Sequence, residues 1–167
     1  SPQGQYGIMK YMGEKLVADY SRRGCFEHVI IRPSAVYGEW DVEDRVVSKF
    51  FQAALSNQTL EVRGANEVMD FTYINDVVAG IVKASLSFNS SGRTYNITRG
   101  RIRTLLEAAE LIVKIVGQGT INIVDADVKF PRRGSFSNIQ AGQDFGHRGT
   151  TDIEQGFVEY HKWFLNK

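Results

Sequence analysis

The feature that most constrains the fold is a hydrophobic period that keeps changing along the chain. HVIIRPSAVYG (28–38) is a short apolar run with a break at Pro33, and it reads as a buried strand leading into a loop. DVEDRVVSKFFQAALSNQ (41–58) instead sets Val46, Val47, Phe50, Phe51 and Ala54 on one helical stripe, with Asp41 as the expected cap. The switch then recurs. LEVRG and MDFTYIN read as short strands, and Asn75 or Asp76 is expected to cap a helix through about Phe88. TYNIT reads as a strand, and TLLEAAELIVKIVG as a helix between a Thr104 cap and a Gly117 stop. INIVDA is a further strand, 131–150 reads as a loop, and Thr151 or Asp152 opens a last helix to about Leu165. A helical rhythm also runs over residues 6–22. Strands alternating with helices in this way imply an α/β fold.

Length and charge narrow the function. The 167 residues suit one domain with a sizeable core. With 20 basic and 19 acidic residues the net charge is +1, which gives no reason to expect nucleic acid or an acidic membrane surface as partner. No apolar run approaches the roughly 18 residues of a membrane span. The single cysteine, Cys25, allows no disulfide framework within the chain, and a reducing, cytoplasmic setting is expected. Cys25 itself reads as a small, buried or half-buried residue. His28, His147 and His161 show no metal-ligand spacing, so no metal is expected. The opening SPQGQYG has neither a leader pattern nor a Met, and the chain is expected to be a piece of something longer. No strand is followed by a G-x-G-x-x-G turn that could cradle a pyrophosphate; the glycines of GQDFGHRG are not expected to do so.

Tyr-x-x-x-Lys occurs twice in QYGIMKYMGEKLV, as Tyr6 with Lys10 and as Tyr11 with Lys15. An ammonium one turn from a phenol makes the phenol easier to ionise. At about 100° per residue, Tyr6, Lys10, Gly13, Val17 and Tyr20 share a narrow sector, and the second pair lies about 140° away beside Glu14, Ala18, Asp19 and Arg22. The first pair is therefore expected on the inward face and the second on a solvated face or one that meets another subunit. Such pairs also arise from composition alone, and Lys10 could simply lay its stem along apolar neighbours.

The surrounding residues carry a resemblance. YGIMKYMGE resembles the Y-G-x-S-K-x-x-x-E signature of extended short-chain dehydrogenases/reductases, the nucleotide-sugar epimerase/dehydratase family. RPSAVYGE resembles its R-x-x-N-V-Y-G-P segment, and MDFTYINDVVAGIVKA its R-D-F-x-Y-V-x-D-V helix entry. TYNITRG resembles its Y-N-I-x-x-G strand, PRRGS stands where R-P-G-D is common, and DIEQGFVEYHKWF resembles its closing helix. The motifs fall in the family's order over nearly the whole chain.

The resemblance implies the C-terminal part of a Rossmann-type fold, with the N-terminal nucleotide-binding half missing. Residues 1–40 would close the Rossmann-type domain with the catalytic helix and next strand. Residues 41–167 would be mainly the substrate-binding subdomain, with 70–98 returning to the main sheet. It implies Tyr6 as general acid/base with Lys10 as its partner, both also touching NAD or NADP, and backbone at Pro33 and Ser34 beside the nicotinamide. The implied substrate is a nucleotide-activated sugar, the implied assembly a homodimer, and the isolated chain is expected to be inactive. Ala35 stands at the family's substrate-binding Asn and Met69 at its diphosphate-binding Arg, so two polar contacts are lost. Arg132 and Arg133 are the leading replacements, with Arg45 and Arg63 behind them. Asp70, Tyr73 and Asp76 read as structural, Trp40 as a pocket or packing residue, and Trp163 as core. A non-catalytic dimerisation or binding module, and a reductase or dehydrogenase of the same family, are the alternative readings.

Overall fold

Parallel strand pairing through helical crossovers organises the chain, whose computed structural model describes residues 2, 4–126 and 134–166. Helix α1 (Gly4–Arg22) leads to β1 (Ile30–Pro33) and β2 (Val36–Tyr37). Next come α2 (Val46–Leu55), β3 (Thr59–Arg63), β4 (Val68–Met69), β5 (Thr72–Tyr73) and α3 (Ile74–Leu86). β6 (Thr94–Ile97), β7 (Arg103–Thr104), α4 (Leu105–Val116) and β8 (Thr120–Val124) follow, and α5 (Ile139–Phe145) and α6 (Ile153–Leu165) close the chain. β1 pairs parallel with β6, placing Ile31 beside Tyr95 and Pro33 beside Ile97. β2 pairs with β5 and β3 with β8, also parallel, and β4 with β7 antiparallel.

Two cores result. The larger joins α2, α4 and α6 over β3, with Phe51, Leu60, Ile112, Phe157 and Tyr160 buried at its centre. The smaller lies over β1 and β6, where Val77, Tyr95, Ile97 and Ala141 meet. Helix α1 contributes a buried residue to neither.

Helix ends show where local chemistry decided the fold. Thr104 and Glu107 form a reciprocal capping box, and Gly117 ends α4 in the left-handed region at φ 82°. Asp41 does not cap α2. Its Oδ1 accepts from the Val42 amide at 2.9 Å, which ties the carboxylate into the preceding turn, and the helix starts only at Val46. Tyr73 rather than Asn75 or Asp76 occupies the N-cap of α3, and Asp76 falls in the first turn. The expected loop 131–150 contains α5, a short helix with only Ala141 buried and no apolar stripe to announce it. Cys25 is exposed rather than covered, because the chain leaves α1 through Gly24 at φ 78° and turns away from both cores.

Candidate functional site

Both Tyr–Lys pairs form on α1. The Lys10 ammonium lies 5.5 Å from the Tyr6 ring centroid, and the Lys15 ammonium 4.9 Å from that of Tyr11. Their surroundings differ from the inward–outward expectation. Tyr6 is 75% exposed and Tyr11 41%. The partly covered positions of the helix are Gly7, Glu14, Val17, Ala18, Asp19 and Ser21, so α1 leans mainly on the side of Glu14 and leaves Tyr6, Lys10, Gly13 and Tyr20 of the other stripe open. The physical reason is an ion pair that the helical wheel could not show. Arg32 of β1 grips Glu14, with Nε donating to Oε1 at 2.7 Å and Nη2 to Oε2. Beside the Tyr6 stripe, Ile8, Met12 and Leu16 make a second exposed ridge that runs into the stripe at Tyr20.

From Arg32 the chain runs straight into the segment expected to border a cofactor. Pro33 ends β1, Ser34 is half-buried, and Ala35 holds φ 37°, a left-handed conformation that asparagine adopts more readily than alanine. The Ala35 carbonyl accepts from the Thr72 amide at 3.2 Å, which fixes the crossing from β1 to β2.

Ala35 also lines a groove of about 710 Å³. Its floor is apolar: Val47 and Phe50 from α2, Leu60 from β3, and Phe71 and Leu105 beyond it. Met69 sits among them, at the position where the family's arginine was expected. Three cations stand on the rim, each beside an acid of its own segment. Arg45 Nε is 3.9 Å from Asp41 Oδ1, Lys49 Nζ is 3.4 Å from Asp44 Oδ1, and Arg63 pairs with Glu61. Burial raises the Asp41 carboxyl above its ordinary range, and its second oxygen has no hydrogen-bond partner. An apolar floor below a rim of exchangeable cations suits a ligand with a flat, weakly polar end and an anionic middle.

Arg45 and Arg63, which the sequence ranked as lesser candidates, thus line the groove, as does Lys49, which it did not single out. Arg132 and Arg133 lie outside the described residues. Trp40 does not line the groove; its ring meets Trp163 edge-on at 5.7 Å. The floor residues belong to the α2 stripe and to the in–out alternation of LEVRG, a signal of burial rather than of binding.

Behind the groove, buried carboxylates serve as ties. Both oxygens of Asp70 accept from the Gly100 amide, at 3.1 and 3.2 Å. Burial pushes this carboxyl up, and the amides that donate to it pull the other way. Asp76 accepts from Thr150 Oγ1 at 3.1 Å and from the Thr151 amide at 2.9 Å, which ties α3 to the turn before α6. The Tyr73 hydroxyl donates to Glu39 at 2.6 Å. Burial first, and then this carboxylate, push that phenol well above its ordinary range. All three hold loops together, as the sequence implied.

Residues 1–98 match the model of the NAD-dependent epimerase/dehydratase family. The chain belongs to that family. Among its relatives is a Bacillus subtilis protein named "Uncharacterized UDP-glucose epimerase YtcB", 32% identical over 95% of this chain and 51% of its own length. UDP-glucuronate 4-epimerase 1 of Arabidopsis thaliana is 26% identical over 99% of this chain and 43% of its own. The crystal structure of UDP-glucuronic acid 4-epimerase from Bacillus cereus, in complex with UDP-glucuronic acid and NAD, superposes with a TM-score of 0.89. It is 24% identical and covers 96% of this chain and 52% of its own. The chain thus spans about half the length of the epimerase relatives it matches, and its α/β architecture is that of Rossmann-type epimerases.

Proposed function

We propose that this chain is the sugar-nucleotide side of an NAD(P)-dependent epimerase or dehydratase. The groove beside Ala35 takes the nucleotide diphosphate, and Tyr6 and Lys10 move the proton. The observation that carries the reading is continuity. The groove begins at Ala35, and immediately before Pro33–Ser34 the Arg32–Glu14 grip connects to the helix that bears the phenol. The solved UDP-glucuronic acid 4-epimerase binds UDP-glucuronic acid and NAD, which supports a uridine diphosphate sugar as the ligand class.

The residues present fit the nicotinamide end of a dinucleotide. Among the described residues the Lys10 ammonium meets no carboxylate, so it is free to hold a ribose hydroxyl beside the Tyr6 ring. When bound, the oxidised nicotinamide would supply a hydride acceptor. The Tyr6 oxygen would take the proton from a sugar hydroxyl and later return it, with the Lys10 ammonium beside the ring while this happens. Turnover is proposed for a protein in which this chain is joined to a dinucleotide-binding half. The 167 residues by themselves are proposed to bind the sugar nucleotide without turning it over.

Calorimetric titration of the chain with UDP-glucose and UDP-glucuronic acid tests the groove. Saturable binding is expected, and Arg45→Ala and Arg63→Ala should each weaken it by about tenfold through loss of a cation–phosphate contact. No saturable binding of either ligand would overturn the assignment. We further propose that the Ile8–Met12–Leu16–Tyr20 ridge meets a second copy of the chain, since an i+4 apolar ridge in water costs free energy until it is covered. Met12→Asp is then expected to leave sedimentation at the monomer value where the parent gives a dimer; identical sedimentation of the two rules the ridge out.

A further inference from the structure

Helix α1 poses a mechanical problem for any chemistry placed on it. Within this chain it has no buried residue, so no interdigitated core of these 167 residues fixes its rotation or its position along its own axis. A proton-transfer group must nevertheless be held in place, because a displacement of about 1 Å can cost on the order of a hundredfold in rate.

The sequence and the contacts supply one answer. Tyr6, Lys10 and Glu14 follow at four-residue steps. At about 100° per residue each step drifts by about 40°, so the three follow one inclined i+4 row that carries Glu14 about 80° around the helix from Tyr6. The far end of that row is gripped at both carboxylate oxygens by Arg32, through Nε at 2.7 Å and through Nη2. The grip holds the Glu14 carboxyl below its ordinary range, first through the hydrogen bond from Arg32, so the fork keeps its charge. Arg32 is itself anchored, since its backbone pairs with Asn96 in the parallel ladder and Pro33 beside it pairs with Ile97. Proline then fixes its own φ at the point where the chain turns toward Ser34 and Ala35.

We infer that Glu14 and Arg32 are a positioning pair, a two-bond fork that sets the rotation of α1 and so places Tyr6 and Lys10 against the Pro33–Ser34–Ala35 segment. The inference rests on the proposed role of Tyr6. Two parallel hydrogen bonds fix an orientation where one would fix only a distance. Lysine cannot replace arginine here, because an ammonium offers a point rather than a planar fork. The pair contributes little to global stability: the Arg32 side chain is 49% exposed and that of Glu14 20%, and a solvent-screened pair is worth little. That separation makes the role measurable.

Two readouts test it. In the chain itself, Glu14→Gln and Arg32→Lys should each speed amide exchange over residues 6–14 several-fold while β3 and β8 keep their protection. In the NAD-loaded full-length enzyme, each change should slow single-turnover hydride transfer about tenfold, with the KM for the sugar nucleotide within about twofold of the parent. The double variant should be no slower than either single one, because one fork is broken once. Tyr6→Phe is measured in parallel. Inactive Tyr6→Phe beside unaffected Glu14→Gln overturns the fork alone. Active Tyr6→Phe overturns the proposed role of Tyr6, and the fork's role with it. Rate losses that multiply in the double variant, or exchange that rises equally in β3, would reduce the pair to an ordinary stabilising contact.

Discussion

Tyr6→Phe in the full-length enzyme is expected to lower turnover of the sugar nucleotide by roughly 10²- to 10⁴-fold, the range that a positioned acid/base contributes. The fold should hardly register the change. Tyr6 is 75% exposed, its hydroxyl has no hydrogen bond to lose among the described residues, and surface substitutions of this kind stay within about 0.5 kcal/mol. The KM should also stay close to the parent value, because the groove proposed for the nucleotide is built from α2, β3 and the residues around Met69, and Tyr6 does not line it. A fall in turnover with binding and stability intact marks an interaction made in the transition state. The chain supplies its own control. Tyr11 and Lys15 repeat the spacing and hold an even shorter ring–ammonium distance, 4.9 against 5.5 Å. If a phenol beside an ammonium were sufficient, Tyr11→Phe would be equally harmful. It is expected to be close to neutral, because Tyr11 stands about 140° around the helix from Tyr6 and so cannot present its phenol to the same ligand. Turnover lost in Tyr11→Phe and kept in Tyr6→Phe would reverse the assignment.

How much of this could be read before the structure depends on how far apart the interacting residues lie. The capping box of α4 is written in four consecutive residues, from Thr104 to Glu107, and its stop is one glycine, so both ends were legible. Asp41 looked like a cap because local pattern cannot show that its carboxylate is already engaged in the turn before α2. α5 has a glycine stop at Gly146 but no stripe and no side-chain cap at its start, and it is held by its contacts with α3 and β6, so tertiary structure is needed to reveal it. The rotation of α1 failed for the same reason at longer range. Its apolar residues lie on several sides, and the contact that decides which side leans inward joins residues 18 positions apart. Family membership was legible because it rests on ordered short motifs, each local. The groove was not, since Ala35, Phe50, Leu60, Met69 and Leu105 meet only once β3 has paired with β8 and β4 with β7.

Gly156→Ala is expected to destabilise the protein by about 3 kcal/mol, the upper part of the usual range for overpacking. Helix propensity alone predicts the opposite, since alanine is favoured over glycine in a helix interior by about 1 kcal/mol. What decides the sign is the Tyr37 hydroxyl. A Cβ built on Gly156 would lie 1.9 Å from that oxygen and 2.9 Å from the ring carbon that bears it. The ring has little room to retreat. It is fully buried, packed edge-on against Phe157 at 5.0 Å, with Tyr73 at 5.7 Å. The hydroxyl has no hydrogen-bond partner among the described residues, and burial pushes it far above the ordinary phenol range, so it stays neutral and can be removed cheaply. Tyr37→Phe should therefore cost no more than about 1 kcal/mol, because no hydrogen bond is broken. Combined with Gly156→Ala it should recover part of the loss, since the 1.9 Å clash is gone while the ring carbons at 2.9 and 3.1 Å must still give way. Urea unfolding of the four proteins gives the coupling energy, expected at about 1–2 kcal/mol. Additive effects, or a stabilised Gly156→Ala, would mean that α6 does not press on Tyr37. The pairing also explains two motifs that look independent in the sequence. The V-Y-G segment after Ala35 and the E-Q-G opening of the last helix meet where a tyrosine oxygen rests on a glycine, and that contact closes the larger core behind the groove.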